Sequence, residues 1–105
     1  MGKNRIIQII GKLIAGMTSH KILCKNTNKK ESINHMESEI INYRGELIDF
    51  IAEYNWNTND KNKIKEEAKK RIKLELRKPH FKGIYFPQSE VDKFLNQSIK
   101  EFFTN

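Results

Sequence analysis

Apolar residues recur along this chain at spacings of three and four, the signature of helices that bury one face. The first such series is Ile6, Ile9, Ile10, Leu13, Ile14 and Met17, and it predicts a helix over about 4–24. Gly11 and Gly16 weaken that helix by about 1 kcal/mol each relative to alanine. Lys21 falls on the apolar face, so a fray or turn is expected near Ser19. The segment Ile6-Ile7-Gln8-Ile9-Ile10 also suits a strand.

The second series is the most regular: Ile33, Met36, Ile40, Tyr43, Leu47, Phe50 and Tyr54, with Ile41, Ile48 and Ile51 widening the stripe. It predicts a helix over 31–55, with Glu31, Glu37 and Glu39 near the start, where the helix dipole favours acids. The turn formers Asn55, Asn57 and Asn59 around Trp56 and Thr58 end it. A third helix, 60–78, is capped by Thr58 or Asp60 and carries a thin stripe of Ile64, Ala68, Ile72 and Leu76. Pro79 stops it. The link that follows holds Phe81, Ile84, Tyr85 and Phe86, too apolar to float free. The last helix, 89–103, opens on the capping box Ser89-x-x-Asp92 and buries Val91, Phe94, Leu95, Ile99, Phe102 and Phe103. Together these predict an all-α fold, a small four-helix bundle or looser helical array, with residues 1–105 as one domain.

The length and the ten aromatic residues suit a single hydrophobic core rather than a disordered coil. One cysteine, Cys24, excludes an internal disulfide and fits a reducing compartment or simple indifference to redox. No apolar run approaches a membrane span; the longest, Leu13 to Met17, follows Lys12. Residues 1–30 contain no acid, as a signal peptide would not. Gln8 and Lys12 nevertheless interrupt the apolar stretch, and no small-residue cleavage site follows. Gly2 lacks the Ser or Thr that myristoylation needs, since Ile6 stands there. The chain reads as cytoplasmic.

Charge refines the picture by its order more than by its sum. The formal net charge is +7, but Ile, Lys and Asn number 15, 16 and 11, the bias of AT-rich coding. Residues 1–30 carry +7, residues 31–60 carry −6, residues 61–82 carry +7 and residues 83–105 carry −1. An acidic second helix lying between basic first and third helices would satisfy all three, and this pairing is the expected arrangement.

Lys65, Lys69, Lys73 and Arg77 form a ridge on the third helix, with Lys63 and Lys70 further around. Such a ridge suits phosphate contacts, which need cations at helical spacing and no special side-chain geometry. The plainer account is a solvated lysine face. A helix-turn-helix is excluded because Glu90 and Asp92 open the helix that would enter the groove. The basic, acid-free first helix resembles interfacial membrane helices in composition, but within a bundle its apolar face is core.

His20 and Cys24 lie one turn apart, yet two ligands do not make a zinc site, and His35 and His80 are isolated. Glu66-Glu67 and Glu37 with Glu39 lack the Glu-x-x-His pairing of di-iron bundles. There is no phosphate loop, nucleophile elbow or triad, so no enzyme, metal or cofactor is expected. Aromatic residues close two connections, and Trp56 and Tyr85 are the expected anchors of a protein-binding patch. The reading is a small helical interaction protein, such as an adaptor, inhibitor or accessory factor of the kind mobile elements carry. A non-specific nucleic-acid-binding accessory protein is the alternative. The heptads of the second helix would equally suit a homodimer seam.

Overall fold

The computed structural model describes residues 2–26, 30–79 and 87–103. Four helices run in chain order as α1 (Lys3–Asn26), α2 (Lys30–Ile51), α3 (Thr58–Glu75) and α4 (Gln88–Phe103). The described residues contain no strand, so residues 6–10 are helical, and the assembly measures 40 × 24 × 24 Å. Tyr85, with the rest of 80–86, lies outside the described residues.

α1 is the central element. It packs broadly on α2 and on α3, and to a lesser extent on α4. Every residue from Leu13 to Ser19 is buried, so this stretch is enclosed on all sides rather than along one face. Ile6, Ile10, Ile14, Met17 and Ile22 are wholly enclosed, meeting Leu47 of α2, Ile64, Ala68 and Ile72 of α3, and Val91 and Leu95 of α4 in one core cluster. The expected fray at Ser19 does not occur. The Ser19 hydroxyl bonds the Gly16 carbonyl at 3.0 Å, and the helix continues through Lys21 to Asn26. Lys21 is half-buried; burial pushes its ammonium below the ordinary lysine value, with Glu101 pulling the other way.

The expected order of charges is also corrected. α1, not the acidic α2, lies between the other helices, because the most apolar helix gains most from being surrounded. Between helices, the described ion pairs are Lys3–Asp60, Lys25–Glu90 and Arg44–Glu101, none of which joins an α2 acid to α1 or α3. The two interior glycines of α1 mark close approaches: Gly11 meets Glu67 and Ala68 of α3, and Gly16 meets the ring of Tyr43 on α2.

The helix ends differ from expectation for local reasons. α2 stops at Ile51 rather than 55, and the Trp56 indole N–H bonds the freed Ile51 carbonyl at 2.8 Å. α3 is capped by Asn57, not Thr58 or Asp60. The Asn57 Oδ1 accepts the Asp60 N–H at 2.7 Å, and Asp60 Oδ2 accepts the Asn57 N–H at 3.2 Å. α3 ends at Glu75; Pro79 keeps the preceding turn from continuing as α-helix. α4 begins at Gln88, one residue early, so Ser89 sits within the first turn and Pro87 precedes the helix.

Candidate docking surfaces

α3 faces α1 with Ile64, Ala68 and Ile72, which turns much of its basic surface outward. Lys69, Lys70 and Lys73 are exposed, as is Arg77 beyond the helix end, whereas Lys65 is half-buried. Lys69 lies 3.9 Å from Glu66 and Lys70 lies 3.9 Å from Glu67, both loose pairs within the helix. Lys65, Lys73 and Arg77 make no ion pair with another described residue. Lys69, Lys70 and Lys73 rim a cleft of about 340 Å³ between α3 and α4, floored by Ile72, Leu76, Val91 and Leu95. Glu66 and Asp92 also line it, so the cleft is of mixed charge.

Trp56 is a latch. Its ring is half-buried, edge-on to Phe103 at 6.2 Å and to Tyr54 at 5.8 Å, with the Lys3 ammonium 5.4 Å from its centre. Its one donor is used on Ile51. Lys3 continues the same knot, bonding the Asn55 carbonyl at 3.0 Å and Asp60 Oδ2 at 2.6 Å. Lys61 adds a bond to the Phe103 carbonyl at 3.2 Å. Trp56 thus holds the α2–α3 turn against the end of α4, while Tyr85, its expected companion in a patch, lies outside the described residues.

The outer face of α2 carries apolar residues that spacing alone assigns to the buried stripe. Ile41 and Ile48, which widen that stripe by spacing, are 67% and 54% exposed. They lie in a row with exposed Ser38 and Gly45, and with Ala52 in the turn that follows, at successive spacings of three, four, three and four. That is a two-heptad seam on the side of α2 opposite Met36 and Leu47. A Cβ on Gly45 would meet nothing within 4 Å. Beside the seam runs a second row, one residue on: Asn42, Glu46 and Asp49 on α2, with Glu53 in the turn just beyond the helix, all exposed. On the other flank stand Glu37 and Arg44, and Arg44 is held by Glu101 of α4 at 2.9 Å. The signal was present in the sequence, since a stripe spanning that much of a helix exceeds what one neighbour covers.

The remaining candidates are accounted for locally. His20 Nδ1 lies 2.7 Å from the Gly16 carbonyl, and its ring is tilted over Tyr43 at 5.4 Å. The Cys24 thiol is pushed up by burial first and by Glu37 second, away from the reactive thiolate. Among the described residues, no three His, Cys, Asp or Glu side chains converge as a metal site, and no helix is long and apolar enough to cross a membrane. No protein-family model, curated protein or solved structure matches this chain.

Proposed function

We propose that this chain is a small non-enzymatic protein-binding module, an adaptor, inhibitor or accessory factor, which receives a partner protein on the outer face of α2. The observation that carries the reading is the exposure of Ile41 and Ile48 at 67% and 54% on one regular seam, while Ile6, Ile10, Ile14 and Ile22 are fully enclosed. Isolated exposed isoleucines are ordinary. A heptad-spaced pair interleaved with glycine and alanine is a surface shaped to receive another helix. The lone cysteine is compatible with a reducing compartment such as the cytoplasm, where this reading puts the protein. Nuclease-treated affinity capture from the native host tests the reading. The wild-type chain retains a protein partner that the Ile41→Asp, Ile48→Asp double variant loses. Equal retention by both sinks the proposal.

A second reading rests on the outward turn of Lys69, Lys70, Lys73 and Arg77, which would grip nucleic-acid phosphates without sequence preference. Its mark is a catch that nuclease removes. If Lys69→Glu with Lys73→Glu leaves salt-dependent binding to DNA or RNA unchanged, this second reading is dead.

A further inference from the structure

We infer that the partner of the α2 seam is a basic amphipathic helix of another protein, an inference that rests on the docking reading above. The seam from Ser38 to Ala52 is about 21 Å long at the helical rise, so a four-turn helix spans it. Ile41 and Ile48 are the knobs, while Gly45 and Ala52 leave shallow seats for large apolar side chains from the partner.

Charge decides what flanks those side chains. The row Glu46, Asp49 and Glu53 runs along one edge of the seam with no cation in it. On the opposite edge Arg44 is paired with Glu101, with Lys21 of α1 near that pair, and Glu37 makes no ion pair with another described residue. Both edges therefore present carboxylates to whatever lies on the seam. A second copy docked α2 to α2 would bring two acidic rows together, and like charges across an interface oppose that pairing. Phosphate-bearing surfaces, whether nucleic acid or anionic membrane, are repelled for the same reason. A helix with leucine-like seam residues and Lys or Arg on its flanks meets both the apolar row and the acids.

The test uses the full chain and two synthetic helical peptides long enough to span the seam. Both carry Leu at the seam positions; one has Lys on its flanks and the other Glu. Fluorescence anisotropy at low salt is expected to show saturable binding of the Lys peptide, at least about tenfold tighter than its Glu twin. The Ile41→Asp, Ile48→Asp variant should weaken that binding by about tenfold or more while circular dichroism shows an unchanged helix content. The Glu46→Lys, Asp49→Lys, Glu53→Lys variant should reverse the preference between peptides. If the Glu peptide binds as well as the Lys peptide and both depend on Ile41 and Ile48, the docking face stands and the basic partner is overturned. If neither peptide binds, or binding ignores the Ile41 and Ile48 changes, the docking face falls with it. A sedimenting dimer that Ile48→Asp dissolves would assign the seam to a second copy and overturn the proposal.

Discussion

The Cβ that Gly11 lacks would stand 2.7 Å from both Cβ and Cγ of Glu67, and 3.3 Å from the Ala68 backbone nitrogen. Those atoms cannot swing aside, because they lie at the root of a side chain whose carboxylate is held by Arg71 at 3.0 Å. Gly11→Ala therefore pushes α1 and α3 apart. The overpacking costs about 1–3 kcal/mol, against which the helix propensity of alanine returns about 1. At Gly16 the obstacle is the Tyr43 ring, 2.8 Å away, which can turn, so Gly16→Ala should cost less. At Gly45 there is open space, and Gly45→Ala should stabilise by about 0.5–1 kcal/mol. Urea titrations of the three variants should rank them in that order. A Gly11→Ala protein as stable as the parent would contradict the packing described.

Asp60 gives the fold an acid-sensitive joint. Its carboxyl is held below the ordinary value of 3.8, first by the Lys3 hydrogen bond and then by the Asn57 N–H, with desolvation opposing. A carboxyl depressed in the folded state adds stability above its unfolded value and loses it as pH falls through the folded one. Tm should therefore decline as the pH drops below about 3.8, and the decline should be shallower in Lys3→Met. The slope is the readout, since Lys3→Met also loses the bond to Asn55 at every pH. An identical acid slope in both proteins would show that the pair does not titrate as described.

Two hydroxyls, Thr18 Oγ1 and Ser98 Oγ, are buried without a hydrogen-bond partner among the described residues. A buried polar group left unpaired costs about 1–3 kcal/mol of desolvation. Thr18→Val keeps the shape and removes the hydroxyl, so it should raise stability by about 1 kcal/mol. Ser98→Ala should do the same to a smaller extent, because it also removes an atom from the packing. Loss of stability in Thr18→Val, measured by thermal unfolding, would mean that the hydroxyl has a partner.

Leu47 and Ile48 are neighbours in sequence and opposite in environment, at 0% and 54% exposure. Leu47→Ala should cost about 2–5 kcal/mol, as for other enclosed leucines. Ile48→Ala should leave stability within about 0.5 kcal/mol. Similar losses for both would place Ile48 in the core.

The periodicity of the chain carried the four helices, and the apolar rows of α3 and α4 turned inward as read. It did not say which helix the others surround. Spacing puts Leu13, Ile14 and Met17 on one apolar face, yet the run Leu13 to Met17 has no polar face, which is how a fully enclosed helix reads. Lys21 on the apolar face suggests a fray or turn near Ser19, although a long side chain can lay its stem on the core and carry its charge outward. The Asn57 cap was hidden by two good capping residues beside it, Thr58 and Asp60. Ile41 and Ile48 were counted into the α2 stripe because periodicity assigns residues to faces, and only the tertiary arrangement decides which faces are covered. The hydrogen bond by which the Trp56 indole closes the α2–α3 turn has no signature in the spacing of the residues around it.

The central position of α1 bears on how the protein is made. α1 leaves the ribosome before the three helices that enclose it, with Leu13 to Ser19 apolar or small on every side and nothing yet to pack against. Its contacts with α3 and α4 join residues far apart in the chain and must wait for later synthesis. During that interval the nascent chain presents its stickiest segment to the cell. Slow translation through α2, or a shortage of chaperone, should therefore lower the yield of this protein more than its finished stability would suggest.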